Sequence, residues 1–259
     1  MNEDPSAFTL VPQTYMRSAS EVRACDIQVV FQPIVSVESG ELFALEALCR
    51  CQWPEFQNPQ KLFEQAEAEK CCGQLGRSVR EVAFERVQDT PLFVNVHPHE
   101  LSQHWLVRPD DPLCFHARDV YLEITETAAF TYFDLCVNVL KEVCSRTGAL
   151  LVIDDFGAGY SNLKRIIDLE PSIVKLDLAL IRDIDTSKRR RVLVKHVVRL
   201  CEELGSKVVA EGIETVDELH AVIDCGVHFG QGYLIAKPAY PAPLPAWPLD
   251  VGSGIWRAG

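Results

Sequence analysis

The sequence has no long apolar run, and this absence excludes one class of protein. Hydrophobic residues make up 47% of its 259 positions, yet no apolar stretch reaches the roughly 18 residues that a membrane-spanning helix requires. Residues 1–15 include acidic Glu3 and Asp4 and no hydrophobic segment, so we expect no signal peptide. These features predict a cytoplasmic protein that does not associate with membranes.

Positive charge is also scarce. Lys and Arg number 25 against 37 Asp and Glu, which gives a formal net charge of −12 at pH 7. An acidic chain gains nothing from a polyphosphate backbone, so general nucleic-acid binding is disfavoured. The basic run at 188–191 begins a helix after Ser187, and we interpret it as a solvated or salt-bridged rim. An anionic ligand would need local cations, which metal ions can supply.

Cysteine is plentiful, but the spacing of a zinc site is missing. None of the ten cysteines forms a C-x-x-C pair: Cys49 and Cys51 flank one residue, and Cys71 abuts Cys72. Without a secretion signal, and in a chain of this size, we expect reduced thiols. Most of them should behave as small buried hydrophobic side chains.

Short apolar runs alternate with helical segments along most of the chain. Eight runs of strand length lie at 29–33, 42–48, 92–96, 120–124, 150–153, 173–176, 208–210 and 227–229. Segments with a 3.6-residue apolar period lie between them, at 59–69, 76–87, 128–146, 187–204 and 216–223. Buried parallel strands appear as continuous apolar runs. Eight of them in about 230 residues favour an α/β fold closed into a (β/α)8 barrel.

The connection between the first two runs breaks this pattern. Residues 36–40 are too few for a helical crossover, so we expect an antiparallel hairpin there. We also expect an N-terminal arm at 1–18, one domain at 19–240 and a Pro/Gly-rich tail at 241–259. Two prolines and two aspartates at 108–112 predict a loop.

Polar side chains end six of the apolar runs. They are Glu46, Asn95, Glu123 with Glu126, Asp154 with Asp155, Lys175 with Asp177, and Glu211 with Glu214. In a closed parallel barrel the carboxyl ends of the strands meet at one mouth, where the active site lies. So many carboxylates need cations if they are to stay ionised together, and one lysine is not enough. Hard oxygen ligands select Mg²⁺ or Mn²⁺, and two such ions suit in-line attack of water on a phosphodiester.

Each of these residues has a structural alternative when it is taken alone. Glu46 is compatible with a cross-strand partner, and Asp154-Asp155 with a helix N-cap and turn. Lys175 is compatible with an ion pair to Asp177 or Glu211. Their joint placement at successive strand ends favours a common acidic, metal-binding site.

Eight short motifs occur in one order along the chain. They are Phe31-Gln32-Pro33-Ile34-Val35, Glu46-Ala47-Leu48 with Arg50, Asn95 with Pro98, Glu123-Ile124-Thr125-Glu126, Asp154-Asp155-Phe156-Gly157, Lys175-Leu176-Asp177, Glu211-Gly212-Ile213-Glu214, and Gln231-Gly232-Tyr233 with Pro238. In this order the sequence resembles the EAL family of cyclic di-GMP phosphodiesterases over roughly residues 20–240. The resemblance implies a TIM-like barrel whose first strand is antiparallel, which agrees with the short connection at 36–40.

The resemblance also implies roles for individual residues. A first metal ion would be held by Glu46, Asn95, Glu123 and Asp154, and a second by Asp155 and Glu211, with Asp154 as the bridge. Lys175 would orient or deprotonate the attacking water. Glu126 would brace the loop after Asp155, and Gln231 would help to hold the water or the surroundings of Glu211. The dinucleotide would be lined by Gln32, Leu48, Arg50, Asp177 and Pro238, with Arg50 against a phosphate.

The implied reaction opens one phosphodiester of cyclic di-GMP to give linear pGpG, with two Mg²⁺ or Mn²⁺ ions in the site. Family members often pair through the region of 156–162, so we expect a homodimer. We find no sensory domain in the sequence, so we expect an unidentified regulatory protein partner.

Three positions depart from the pattern of the family. Cys51, His97 and Ala158 stand where Trp, Ser and Thr are usual, and none of the changes removes a metal ligand. We interpret His97 as a loop histidine near the site, the alternative being a residue that tunes a metal-bound water.

Two other functions stay open. Some family members only bind cyclic di-GMP, but such receptors typically lose metal-binding carboxylates, and here the full set is present. A Schiff-base aldolase using Lys175 is disfavoured, because the surrounding acids keep its ammonium charged.

Overall fold

The computed structural model describes residues 17–102, 106, 108–125, 133–159 and 163–249. In this part of the chain, eight strands close into a barrel in sequence order. They are β1 (Ile27–Ser36), β2 (Leu42–Cys51), β3 (Leu92–Asn95), β4 (Val120–Thr125), β5 (Leu150–Phe156), β6 (Ile173–Leu176), β7 (Lys207–Ala210) and β8 (Phe229–Gly230). β1 is antiparallel to both β2 and β8, and the pairs from β2 to β8 are parallel. The predicted barrel with an antiparallel first strand is confirmed.

Helices follow the strands and cover the outside of the barrel. They are α1 (Pro59–Ala68), α2 (Cys72–Arg86), α3 (Pro98–Ser102), α4 (Phe133–Thr147), α5 (Lys164–Leu169), α6 (Leu178–Ile181), α7 (Lys188–Glu203) and α8 (Val216–Asp224). Side-chain caps begin several of them: Asn58 accepts from the Gln60 N–H, and Ser187 accepts from the Arg190 N–H, as its position predicts. The predicted start of α4 at 128 lies outside the described residues.

The barrel strands divide the apolar core into two layers. The inner layer fills the barrel with one side chain from each strand: Ile34, Ala44, Phe93, Tyr121, Val152, Ile173, Val209 and Phe229. The outer layer, which includes Leu45, Leu92 and Leu122, packs against the helices. Successive side chains point to opposite faces of a strand, so the continuous apolar runs supply both layers.

The chain after β8 runs along the seam between β8 and β1. β8 pairs with β1 at only two positions, and Ala239 continues along that edge by exchanging two backbone hydrogen bonds with Phe31. Further on, Trp247 packs against the β1–β2 turn, where a Cβ at Gly40 would lie 2.3 Å from Trp247 Cγ. The described part of the tail forms no helix, and the domain boundary at 240 stays a prediction.

The thiols are free, as expected. Each of the nine cysteines in the described residues is unpaired with another cysteine, and burial raises the pKa of Cys49 and Cys72 to about 12. Four of the nine are buried, three are half-buried, and Cys25 and Cys114 are exposed, so the expectation that most would be buried holds only in part. Among the described helices, none has both the length and the apolar character that crossing a membrane requires.

Candidate active site

Each strand contributes one polar side chain to the same mouth of the barrel. In β2–β8 this residue comes two positions after the inner apolar residue: Ala44 precedes Glu46, Phe93 precedes Asn95, Tyr121 precedes Glu123, Val152 precedes Asp154, Ile173 precedes Lys175, Val209 precedes Glu211 and Phe229 precedes Gln231. β1 runs in the opposite direction, so its polar residue, Gln32, comes two positions before Ile34. Because side chains alternate across a strand, these eight residues form the layer above the apolar one.

The Lys175 ammonium lies among four carboxylates. Its Nζ is 2.6 Å from Glu123 Oε1, 2.6 Å from Glu211 Oε1, 3.1 Å from Asp154 Oδ1 and 3.5 Å from Glu46 Oε2. The lysine is 1% exposed and Glu123 is 0% exposed. Burial alone would lower the pKa of Lys175, but the acids raise it well above its ordinary value. The residue is therefore an ammonium, which disfavours the neutral amine that a Schiff base requires.

Burial raises the pKa of three acids in the site. Loss of water raises the pKa of Glu123 well above its ordinary value, although Lys175 opposes the shift. The same cause raises the pKa of Glu211 to about 8, and that of Asp155 to about 6 with a further contribution from Asp154. Acids with raised pKa values hold protons that a divalent cation displaces when it binds.

A β-bulge at the end of β5 places two successive carboxylates. The register between β5 and β6 shifts between Ile153 and Phe156, and Asp155 has a left-handed φ of 56°. Bulges re-aim side chains and are common next to active sites, and such a φ costs a non-glycine residue about 1–3 kcal/mol. One oxygen from each of Asp154, Asp155 and Glu211 lies within 4.8 Å of the others, close enough to bind one metal ion.

Two side-chain amides donate hydrogen bonds to acids of the site. Asn95 Nδ2 donates to Glu123 Oε2 at 3.1 Å. Gln231 Nε2 donates to Glu46 Oε2 at 2.5 Å and to Gln32 Oε1 at 3.0 Å. The second amide thus lies on the Glu46 side of the mouth.

One buried oxygen of the site has no donor among the described residues. Gln231 Oε1 accepts no hydrogen bond, whereas Glu123 Oε1 and Asp154 Oδ1 contact the Lys175 ammonium. A buried acceptor without a donor is uncommon and points to a bound water or ion. These hard oxygen donors fit Mg²⁺ or Mn²⁺.

Of the predicted substrate residues, Gln32 belongs to the polar layer, and the other four come from positions outside it. Leu48 and Arg50 line a cavity of about 330 Å³ that extends between β2, β3 and the first two helices. Gln32 Nε2 donates to the Ala236 carbonyl at 3.0 Å, close to Pro238. Asp177 is the N-cap of α6, where it accepts from the Ala179 N–H at 2.8 Å, and it is not the partner of Lys175.

Of two further residues that the sequence placed near the site, Glu214 lies away from it and His97 lines the same cavity as Arg50. Glu214 pairs with Arg182 at 2.6 Å, outside the cluster around Lys175. His97 follows the end of β3, and its ring stacks on Phe63 with centroids 5.9 Å apart. This supports the interpretation of His97 as a loop histidine.

Other predicted positions lie outside the described residues. Glu126 is one of them, and residues 160–162 of the region expected to pair in a dimer are others. Asp154 and Asp155 lie in β5 and neither is the N-cap of a described helix, so the helix-cap part of the structural alternative is wrong. A turn does follow them, since the Ala158 N–H donates to the Asp155 carbonyl at 3.1 Å.

A buried ion cluster of Arg80, Glu100 and Asp111 lies beside the end of β3, and no sequence motif predicted it. Asp111 lies in the stretch that was interpreted only as a loop. One available signal was the spacing from His97 to Glu100, because a glutamate three residues after a helix cap closes a capping box.

A family model described as the EAL domain matches residues 16–238. The chain belongs to the EAL domain family. Two Pseudomonas aeruginosa relatives are the cyclic di-GMP phosphodiesterase PA2567, 30% identical over 93% of this chain, and the cyclic di-GMP phosphodiesterase RocR, 30% identical over 85%. The EAL chain spans 43% of PA2567 and 60% of RocR. A solved complex of Klebsiella pneumoniae BlrP1 with calcium and cyclic di-GMP is 33% identical, with a TM-score of 0.74 over 83% of this chain and 56% of that one.

Proposed function

We propose that this EAL chain hydrolyses cyclic di-GMP to linear pGpG with two divalent metal ions, Mg²⁺ or Mn²⁺. The observation that supports this most strongly is the contact of Lys175 with carboxylates from four strands, beside the acidic group of Asp154, Asp155 and Glu211. Relatives named as cyclic di-GMP phosphodiesterases and the BlrP1 complex with calcium and cyclic di-GMP indicate the substrate.

The acids and Asn95 would hold the metal ions. A first ion would bind Glu46, Asn95, Glu123 and Asp154, and a second would bind Asp155 and Glu211, with Asp154 between them. Ions held by these residues would lower the pKa of a nucleophilic water and would offset negative charge on the phosphodiester oxygens. The grouping of Asp154, Asp155 and Glu211, with one ligand atom of each within 4.8 Å of the others, supports this assignment.

The other residues of the mouth would position water and substrate. Lys175 would orient the attacking water through its N–H groups. Gln231 holds Glu46 with its amide nitrogen, so its free oxygen can accept a hydrogen bond from that water.

The ring of the dinucleotide would lie on the rim. Arg50 would bind a phosphate, because its guanidinium lines the cavity that reaches Asn95 and Thr125. Arg80 lines the same cavity, but its charge is paired with Glu100 and Asp111. The remaining substrate contacts would come from Gln32, Leu48, Asp177 and Pro238. Glu126 would brace the loop after Asp155. We propose that the protein acts in the cytoplasm as a homodimer with a regulatory protein partner.

Chromatography tests the proposal directly. The purified chain is incubated with cyclic di-GMP and either Mg²⁺ or Mn²⁺, and we expect pGpG in the presence of the metal and none in EDTA. Asp154→Asn should reduce turnover by about 100-fold or more, since it removes the predicted bridging ligand. The matched control is Glu214→Gln, which alters an acid outside the cluster and should leave turnover within about twofold.

Four results would contradict the proposal. Tight binding of cyclic di-GMP without cleavage in either metal would identify a receptor. Borohydride trapping of a substrate on Lys175 would identify an aldolase. Loss of the circular dichroism signal in Asp154→Asn would show that this acid is needed for folding, and a metal-independent turnover would exclude the metal site.

A further inference from the structure

A buried ion cluster lies behind the strand end that carries Asn95. Arg80 of α2 forms it with Glu100 of α3 and with Asp111. The guanidinium Nη1 is 2.7 Å from Glu100 Oε2, while Nε and Nη2 are 3.2 Å and 2.9 Å from the two oxygens of Asp111. Arg80 is 1% exposed and both acids are 0% exposed. Two acids thus share one guanidinium in the interior.

Glu100 connects this cluster to the turn that follows Asn95. Its Oε1 accepts from the His97 N–H at 2.9 Å, and its own N–H donates to the His97 carbonyl at 2.8 Å. α3 has five residues, and so short a helix does not hold a turn in place by itself. The side chain of Glu100 therefore links Arg80 by hydrogen bonds to the backbone of His97, which lies two residues after Asn95.

Gly76 shows how closely Glu100 is held. A Cβ at Gly76 would lie 2.3 Å from both carboxylate oxygens of Glu100. A glycine inside a helix is less favourable than alanine by about 1 kcal/mol, and the close approach of the carboxylate explains its presence in α2. Glu100 is thus fixed by the α2 backbone on one side and by Arg80 on another.

Such a cluster fixes the positions of its side chains more than it stabilises the fold. Desolvation of buried ions largely offsets their attraction, and burial raises the pKa of Glu100 although Arg80 opposes the shift. The Arg80 guanidinium donates two N–H groups to Asp111 and a third to Glu100. These three contacts fix its orientation. Asp111 is fixed in turn, because its Oδ1 accepts from the Leu113 N–H at 3.1 Å.

We propose that Arg80, Glu100 and Asp111 position Asn95 for metal binding, and so set the metal affinity of the site without touching the ion. The inference rests on the proposed function in taking Asn95 as a metal ligand. Replacing a residue that orients a metal ligand without binding the metal typically changes the metal affinity by about 10- to 100-fold.

Calorimetric titration with Mn²⁺ in the absence of substrate tests the proposal. Arg80→Met should weaken Mn²⁺ binding by about 10- to 100-fold. The matched control is Arg77→Met on the same helix, because Arg77 pairs with Glu81 and Asp110 and not with Glu100. We expect the control to bind Mn²⁺ within about twofold of the wild type.

A second variant keeps every charge, because Arg80→Met leaves two buried acids without a cation and risks unfolding. Gly76→Ala displaces the Glu100 carboxylate and should weaken Mn²⁺ binding about tenfold. It should also speed hydrogen exchange at the His97 amide. In a chain that already carries Asn95→Ala, the same change should have no further effect on Mn²⁺ affinity, since coupled residues are not additive.

Each outcome decides the question. Unchanged Mn²⁺ affinity in folded Gly76→Ala, equal weakening in Arg77→Met, or full additivity with Asn95→Ala would overturn the positioning role. A wild type that binds Mn²⁺ and shows the coupling, but does not cleave cyclic di-GMP, contradicts the proposed function alone. A wild type that binds no Mn²⁺ overturns both.

Discussion

Four carboxylates and one ammonium share a buried volume at the mouth of the barrel. Lys175 contacts acids from β2, β4, β5 and the end of β7, so a single positive charge faces several negative ones. The acids respond by holding protons, as the raised pKa values of Glu123, Asp155 and Glu211 show. The site is therefore short of positive charge, and this deficit is what attracts divalent ions.

Removing the Lys175 ammonium should increase this deficit of positive charge. Lys175→Met leaves Glu46, Glu123, Asp154 and Glu211 without their cation, so in EDTA we expect the free energy of unfolding to fall by about 3–5 kcal/mol. Mn²⁺ should restore much of it. Urea denaturation with and without Mn²⁺ measures both effects. Lys61→Met, on the exposed face of α1, is the control, and equal losses in the two variants would contradict the prediction.

Metal affinity should rise with pH. Before a metal binds, Asp155 has a pKa of about 6 and Glu211 of about 8, so protons compete with the ion below these values and are lost above them. Mn²⁺ affinity should therefore increase from pH 6 to pH 8. Calorimetry in two buffers of different ionisation enthalpy counts the protons released. Glu211→Gln should remove the upper part of the pH dependence, and a flat profile in the wild type would refute the assignment.

The strands build the site on a rigid apolar floor. Phe93 is 0% exposed, and its ring stacks on Tyr121 with centroids 4.4 Å apart. Phe43 stacks on Phe229 at 3.9 Å. These rings fill the barrel one layer below the acids, so they support the polar layer and keep water out from beneath it.

Truncation of one ring in this floor should be costly. We expect Phe93→Ala to lower the free energy of unfolding by about 3–5 kcal/mol, because it removes buried contacts and leaves a cavity. Phe115→Ala serves as the comparison, since Phe115 is 74% exposed and should change stability by about 0.5 kcal/mol or less. Urea denaturation distinguishes them, and similar values would show that the inner layer is loosely packed.

The order and type of the longer elements could be predicted from the sequence, but their lengths could not. β1 and β2 each extend over ten residues because their hairpin pairs beyond the apolar runs, whereas β8 has two. α3, α5 and α6 contain five, six and four residues, respectively. Segments so short complete too few turns to show an apolar period.

The site could be predicted where a strand determines it. Side chains alternate between the two faces of β2 and β4. Once Ala44 and Tyr121 are known to face inward, Glu46 and Glu123 must face inward too. The rule fails after a strand ends, as His97 and Glu214 show, because a turn is free to point a side chain elsewhere. Arg80 could not be predicted as a buried cation, since its partners come from distant segments of the chain.

The complete barrel depends on contacts between its first and last segments. β8 joins β1 by two residue pairs, and Ala239 adds one more pair on the same edge of β1. Trp247 packs on the adjoining β1–β2 turn. The segment also carries the Ala236 carbonyl that holds Gln32. The seam thus couples the closure of the barrel to one side of the site.

Loss of the indole should loosen this seam. We expect Trp247→Ala to lower the free energy of unfolding by about 1–3 kcal/mol, since Trp247 is half-buried. Hydrogen exchange at the amides of Phe31 and Ala239 should become faster. Leu244→Ala is the control, because Leu244 is 89% exposed. Unchanged exchange at both amides would mean that Trp247 does not support the seam.

Pairing of Ser36 with Phe229 has a consequence for synthesis on the ribosome. During translation β1 leaves the ribosome early and β8 late. The barrel therefore cannot close until both strands have been synthesised. During that interval β1 presents unpaired N–H and C=O groups along one edge, which other extended chains can join. Chaperones that bind exposed strands therefore have their longest opportunity at β1.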